Sequence, residues 1–308
     1  MYKLSIIAPI FNESAIVMAL HQRLKQVAIQ LVGDDHEIIF VNDGSKDDSL
    51  EKLRLLAQQD KSFSYLSFTR NFGHQIAVTA GLDHVNGQAV VIIDGDLQDP
   101  PEVIPELYAK YQEGYKIVFA QRRSRAGETI FKKITAKWFY RTLASITSVD
   151  IPIDTGDFRL IDFAVVEQLR KMPEHSKFLR GQIAWTGFSQ CPVLYDRQER
   201  VAGETGYTLK KMLRFALDGI TSFSDLPLKL ATYLGFSVAF FSFLVIIYAL
   251  VSYFIFDRVV AGWTSMLIST MFIGGVQLLT IGIIGEYISR ISTDVKNRPL
   301  YIVGERNH

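Results

Sequence analysis

Three oxygen-bearing side chains stand at alternate positions in the stretch VVIIDGDLQDPPEV (residues 90–103): Asp94, Asp96 and Gln98. In an extended segment this spacing puts all three on one side. Two carboxylates and an amide oxygen so placed can close a turn, or can hold a hard divalent cation, which takes oxygen ligands. Asp99 is out of step with them. It is expected to cap the helix that Pro100 and Pro101 open, since proline is tolerated in a first helical turn. Polar groups also follow other apolar runs: Pro9, Asn12 and Glu13 close the first, Asn42, Asp43 and Gly44 the second, and Arg122, Arg123 and Arg125 the fifth. The string NDGS alone is adequately explained as a turn and helix cap. Four such strand ends together point to one shared edge that binds a ligand.

The elements that must position these groups are legible as apolar runs: LSIIAPI, HEIIFVND, FSYLSF, AVVIIDGD and KIVFAQR. Between them lie helical patterns over Ser14–Leu31, Ser49–Gln59, His74–Val85 and Pro101–Gln112. Strand and helix in alternation imply an α/β domain with a mostly parallel sheet and flanking helices. The near-continuous apolar strands fit a sheet buried on both faces. Ligands of such sheets bind beyond the carboxyl ends of the strands, where the polar residues fall.

Several chemistries are excluded. No G-x-G-x-x-G follows a strand and no G-x-x-x-x-G-K-[ST] occurs, which argues against a dinucleotide oxidoreductase and a P-loop NTPase. Cys191 is the lone cysteine, so neither an intrachain disulfide nor a cysteine zinc cluster forms. The six histidines are scattered, and His74, in RNFGHQ, is expected to serve as a structural hydrogen-bonder. A net charge of +1 gives no sign of a nucleic-acid partner.

The 308-residue chain is 48% hydrophobic, with a mean hydropathy of +0.15. The excess lies in two 27-residue runs without Asp, Glu, Lys or Arg, 230–256 and 259–285. As helices at about 1.5 Å per residue, each is long enough to cross a bilayer core of about 30 Å. Only Asp257 and Arg258 separate them, so a tight transmembrane hairpin is expected. Lys210, Lys211, Arg214 and Lys229 precede it, and Arg290, Lys296, Arg298 and Arg306 follow it. The positive-inside rule places both flanks, and both termini, in the cytoplasm. The N-terminus lacks the features of a signal peptide. Residues 131–143 and 208–220 mix basic and aromatic or aliphatic residues and are expected as amphipathic helices at the membrane interface. Gly274 and Gly275 offer a small-residue contact for a homo-oligomer.

The motifs SIIAPIFNE, FVNDGSKD, RNFGHQIA, IDGDLQDPPE, QRRSR and DTGDFRL, in this order, resemble family 2 glycosyltransferases of the GT-A fold. DLQDPPE with a C-terminal membrane hairpin is similar to the polyprenyl-phosphate glycosyltransferases, among them bactoprenol glucosyltransferases and dolichyl-phosphate mannose synthases. The resemblance covers nearly the whole chain. It implies a UDP-sugar donor, a polyprenyl (undecaprenyl) phosphate acceptor, Mg²⁺ or Mn²⁺, and inversion at the anomeric carbon. It places Pro9, Asn12, Glu13 and Asp43 beside the nucleotide and makes Asp94, Asp96 and Gln98 the metal set. Arg122 becomes a phosphate-binding arginine, with Arg123, Arg125 and Arg159 as further candidate clamps. Asp157 and Arg159 border the acceptor, and Arg200 is a loop residue that closes on the diphosphate. One departure counts: where processive synthases carry Q-x-x-R-W, this chain has QERV, with Val201 in place of Trp, which favours single-sugar transfer.

The acceptor phosphate is already ionised near neutral pH, so a strong general base is less needed than for a hydroxyl acceptor. Holding two anions together is the task, and guanidinium groups suit it. Asp157 is then either a base or an orienting group, with orientation preferred. The resemblance favours glucose; mannose, an N-acetylhexosamine or a modified pentose, a neutral lipid acceptor, and a non-catalytic membrane scaffold are the alternatives. The expected organisation is a cytoplasmic GT-A domain (1–206), an interfacial helix (207–227), two transmembrane helices (228–286) and a cytoplasmic tail (287–308) in the inner membrane.

Overall fold

The computed structural model describes residues 2–123, 155–197, 226–256 and 262–307. The expected interfacial helices, Arg125, Arg200 and the Asp257–Arg258 turn lie outside the described residues. The first half follows the alternation of the sequence: β1 (Tyr2–Ile10), α1 (Val17–Val32), β2 (His36–Asn42), α2 (Ser49–Gln59), β3 (Phe63–Phe68), α3 (His74–His84) and β4 (Gly87–Ile92). A single 3₁₀ turn, Pro101–Val103, then leads into α4 (Ile104–Gln112) and β5 (Ile117–Arg122). After it come β6 (Thr155–Asp162), α5 (Phe163–Arg170), α6 (Leu179–Trp185) and β7 (Gln190–Tyr195). Two long helices, α7 (Leu226–Phe256) and α8 (Trp263–Val295), precede a short β8 (Val303–Arg306).

The strands form one eight-stranded sheet in the order β7-β5-β6-β4-β1-β2-β3-β8. Pairs β1–β2, β1–β4, β2–β3 and β5–β7 are parallel. β6 is an exception within the mostly parallel sheet: it lies antiparallel between β4 and β5. Alternation along β1 sends Leu4, Ile6, Ala8 and Ile10 to one face, where they pack with Leu20 and Leu24 of α1 and Ile104 and Leu107 of α4. Ile7 faces the other side, with Ala77 and Val78 of α3 and Val165 and Leu169 of α5. Both faces are covered, which is why the strands read as unbroken apolar runs.

The two long helices differ from expectation at their ends. The second begins at Trp263, after Gly262, and runs on through Glu286, Arg290 and Asp294. Charge ended the apolar run without ending the helix, since Glu and Arg are good helix formers, and Glu286 and Arg290, one turn apart, pair at 3.3 Å. Large apolar side chains on both helices face outward: Phe236 is 72% exposed and Leu278 73%. A core helix of a soluble domain would bury such residues. Both helices are long and apolar enough to cross a membrane.

The tail expected over 287–308 is helix as far as Val295, and its end is part of the sheet. β8 pairs antiparallel with β3. Tyr301 stacks on Phe68 at 5.1 Å and donates to Asp83 at 2.9 Å. Arg54 grips Glu305 with two bonds of 2.8 and 2.6 Å. VGER is too short and too polar to announce an edge strand by its pattern.

Candidate active site at the carboxyl edge of the sheet

The carboxyl ends of β1 and β2 are tied together by short polar bonds. Asn12, in the left-handed region at φ 55°, accepts from the Lys46 N–H at 2.8 Å, and its own N–H donates to Ser45 Oγ at 2.9 Å. The Glu13 N–H donates to Ser49 Oγ at 3.2 Å. Asp43 is buried and accepts from Asn71 Nδ2 (2.8 Å), the Phe72 N–H (2.7 Å) and the Gly73 N–H (2.9 Å). Desolvation raises its pKa against the pull of the Phe72 and Gly73 bonds. Asp43 thus anchors the loop that launches α3 and so sets the position of His74. Gly44 follows at φ 66°, where a Cβ would meet the Arg70 carbonyl carbon at 2.3 Å, so only glycine lets this loop close.

Beyond β4, the chain passes over the end of β1. A Cβ on Gly95 would lie 2.4 Å from the Pro9 carbonyl oxygen, which explains the glycine between the two aspartates. Leu97 takes φ 56°, a costly conformation for a non-glycine residue, and Asp96 Oδ1 stabilises the turn by accepting the Gln98 N–H at 3.1 Å. Asp94 Oδ1 is buried and makes no hydrogen bond. Burial above all raises the Asp94 pKa, to about 6, with Asp157, Asp99 and Asp96 adding repulsion and His74 opposing it.

The antiparallel insertion of β6 supplies the next group. Its register with β4 ends at Ile92 opposite Arg159, so Asp94 and Asp157, each two residues further on, face one another. Asp157 is buried and accepts from His74 Nε2 (3.0 Å), Gln75 Nε2 (3.0 Å) and Arg180 Nε (2.7 Å). Burial alone would raise its pKa, but Arg180, His74 and Arg159 hold the carboxyl well below the usual range. A carboxylate so fully engaged is a weak base and a firm anchor. His74 Nε2 also lies 3.5 Å from Asp94 Oδ1. Desolvation disfavours its charged form, yet the Asp157 bond and the Asp94 field lift it to about 9. His74 is therefore more than a structural hydrogen-bonder: it bridges two carboxylates of the site.

The arginines divide. Arg122 is half-buried at the end of β5, with its Nε lacking a hydrogen-bond partner. Arg123 points outward, 3.7 Å from the exposed Asp196. Arg159 is 5% exposed and braces its own strand, donating to the Gly156 and Asp157 carbonyls at 3.0 and 3.3 Å. Burial lowers its pKa to about 10, which leaves it a cation at neutral pH. Asp99 does not cap the following helix: Pro100 occupies that position without a side-chain cap, and Asp99 turns inward to Tyr195 and Arg197. Arg180, Tyr195 and Arg197 went unnoticed in the sequence because their partners lie 23, 96 and 98 residues away.

Among the described residues, one group of histidine and acidic side chains converges closely enough to take a divalent cation. His74, Asp94 and Asp157 place one ligand atom each within 4.8 Å of one another. The expected set Asp94, Asp96 and Gln98 shares Asp94 with it, but residues 94–98 form a turn, with Leu97 at φ 56°, and not the extended segment that the alternate spacing assumed, so spacing alone does not bring the three oxygens to one side. Asp157 is already committed to Arg180 and Gln75, whereas carboxylate and amide oxygens together suit a hard cation.

The pattern of glycosyl transferase family 2 matches residues 5–170. The chain is 49% identical over 299 residues to an uncharacterised glycosyltransferase of Bacillus subtilis, covering 97% of this chain and 92% of that one. It is 44% identical over 301 residues to a prophage-derived bactoprenol glucosyl transferase of Shigella flexneri, covering 98% and 97%. A prophage bactoprenol glucosyl transferase homologue of Escherichia coli is 42% identical over 301 residues, with 98% of each chain covered.

Proposed function

The chain belongs to glycosyltransferase family 2, and from that premise we propose that it transfers one glucosyl unit from UDP-glucose to a polyprenyl phosphate at the cytoplasmic face of a membrane. The observation that carries the reading is the meeting, at one sheet edge, of a buried Asp94 carboxylate oxygen that accepts no hydrogen bond with Asp96, Asp157, His74 and arginine side chains. Relatives matched over nearly their full length and named for bactoprenol glucosyl transfer support the acceptor and the sugar. A nucleotide diphosphate and a lipid phosphate are both anions, and the site combines places for a cation with arginines.

Asp94, Asp96 and Gln98 would hold Mg²⁺ or Mn²⁺, which when bound neutralises charge on the departing diphosphate. Asn12, Glu13 and Asp43 build the loops beside the nucleotide. Arg122 binds acceptor phosphate, and one of that phosphate's oxygens attacks the anomeric carbon as the bond to UDP breaks, inverting the centre. Asp157 orients His74, Gln75 and Arg180 and takes no proton, because the attacking oxygen carries none to remove. Positioning and charge compensation account for most of the acceleration.

The pair of exposed apolar helices supports a two-span anchor. β8 pairs with β3 in the sheet that carries β1–β4, which supports a hairpin with the sheet and the residues after α8 on one side of the membrane. Arg290, Lys296 and Arg298 beyond the second span favour the cytoplasmic side.

Radiolabelled UDP-glucose is incubated with the purified chain and undecaprenyl phosphate, and the organic phase is analysed by mass spectrometry. Label in a phosphate-linked lipid, abolished by EDTA, is the expected result. Absence of any lipid product across a panel of nucleotide sugars overturns the reading. Transfer to diacylglycerol or ceramide in place of the phosphate reassigns the acceptor.

A further inference from the structure

Asp99 is out of step with the metal-ligand spacing and is 0% exposed. A carboxylate in that position is stable only if charge and hydrogen bonds compensate its desolvation. Its Oδ1 accepts from the Tyr195 hydroxyl at 2.5 Å and from Arg197 Nε at 3.1 Å, while Oδ2 makes no hydrogen bond. Parallel pairing of β5 with β7 sets Tyr195 opposite Arg122, so β7 delivers Tyr195 and then Arg197 to the active edge. Arg197 keeps 25% of its side chain exposed, and its Nη2 lies 3.7 Å from Asp96 Oδ2. That separation is longer than a hydrogen bond, so the attraction is electrostatic and exchangeable.

We propose that Arg197 is a ligand of the donor diphosphate and that Asp99 is a positioning residue that aims it. The proposal rests on Asp96 being a metal ligand. Fixing Nε on a buried carboxylate orients the guanidinium plane and leaves its two Nη groups to meet phosphate oxygens as a fork. A diphosphate bound to a cation at Asp96 falls within reach of that fork without breaking the Asp99 bond. Tyr195 donates to the same Asp99 oxygen and so holds that carboxylate in place when Arg197 turns to a ligand.

The test uses the full-length, detergent-solubilised chain. UDP binding is measured by calorimetry in the presence of Mn²⁺, Mn²⁺ binding alone by electron paramagnetic resonance, and the two Michaelis constants separately. Arg197→Ala is expected to weaken UDP binding roughly 10- to 100-fold, the loss typical of one charge-assisted contact. The donor KM rises with it, the acceptor KM and the Mn²⁺ signal do not change, and Arg197→Lys recovers part of the loss. Asp99→Asn, which keeps an acceptor but loses the charge, is expected to show a smaller defect confined to the donor. If Arg197→Ala binds UDP as the unaltered chain does, or raises both Michaelis constants together, the proposal is overturned. Should Asp99→Asn fail to fold, the partly exposed Arg197 variants decide the question. A chain carrying Asp96→Asn that still binds Mn²⁺ removes the metal reading instead, whatever Arg197 does.

Discussion

Strands β1 to β4 and strands β5 to β7 belong to one sheet, yet they bring different things to its active edge. The first group is linked by consecutive strand–helix units, and its ends carry Asp43, Asp94 and Asp96. The second is built around an antiparallel insertion and supplies Arg122, Arg159 and Arg197, with Arg180 from the helix between β6 and β7. The negative half of the site is therefore encoded locally, each carboxylate sitting where its own strand stops. The positive half is assembled by tertiary contact: Arg180 reaches Asp157, and Arg197 reaches Asp99, only once the sheet has closed. Asp157 is the crossing point, an acid delivered by β6 to the carboxylate side of the seam. At this edge the Asp94 carboxylate keeps an oxygen without a hydrogen bond, while Arg180 and Arg197 are fixed on the buried acids Asp157 and Asp99.

Removing charge from the local half has the largest expected effect. Asp94→Asn and Asp96→Asn are each expected to lower sugar transfer roughly 100- to 1,000-fold, the scale seen when one preorganised electrostatic group is lost. Asp94→Asn is also expected to melt no lower than the unaltered chain, since it replaces a buried carboxylate whose Oδ1 has no hydrogen-bond partner. Turnover and thermal denaturation on the same preparations check both. A chain that loses activity only in proportion to lost stability would mean that the local acids are structural and the contrast is false.

The assembled half is expected to behave in the opposite way. Arg180→Ala strips the shortest of three donors from Asp157, a side chain only 12% exposed, and leaves that charge under-compensated. A stability loss of about 3 kcal/mol follows from breaking a buried ion pair. Denaturant titration measures it, and Arg180→Lys is expected to regain part of the loss. Activity falls less than in Asp94→Asn, because His74 and Gln75 still hold the carboxylate at 3.0 Å. Unchanged stability in Arg180→Ala would show that its bond to Asp157 does not anchor the site.

The same division explains what the sequence disclosed. Helix α2 and strand β3 fall where periodicity and turn residues put them, because each is a short element whose burial pattern is set by its immediate neighbours. The edge residues Asn12, Asp43, Asp94 and Asp96 were legible for the same reason. β6 was not: its residues TGDFRLID are all buried, yet the charged residues within them leave no apolar run to mark a strand. Asp157 and Asp162 are buried within it because Arg180 and Lys116, distant in sequence, satisfy them, which no local pattern reveals. The partners of His74 were hidden on similar grounds, since its bond to Asp157 depends on β6 lying beside β4. Asp99 was misassigned because proline and spacing supported a cap, while Tyr195 and Arg197, the groups that claim it, come from β7 and the residues just beyond it.

A carboxylate remote from the edge gives the smallest and cleanest comparison. Asp60, 7% exposed at the end of α2, resembles Asp157 in accepting from several donors: His21 at 2.9 Å, Lys25 at 3.0 Å and Ser62 Oγ at 2.7 Å. Burial raises its pKa, but the bonds from Ser62, Lys25 and His21 outweigh this and hold it well below the aspartate value. A folded pKa below the unfolded one means that the contribution to stability is complete above about pH 4 and is lost as the pH falls from there through the lower folded value. Asp60→Asn is therefore expected to cost about 1–2 kcal/mol at neutral pH and to flatten the acid limb of the stability curve. His21, whose pKa is lowered chiefly by desolvation, loses stability on protonation, and that separate limb begins below about pH 6.5. It survives in the variant, so the two can be told apart by denaturation across the pH range. Sugar transfer is expected to stay at its unaltered rate. A drop in turnover in Asp60→Asn would show that donors on a buried acid matter to catalysis wherever they stand, and the seam between the two halves of the sheet would lose its meaning.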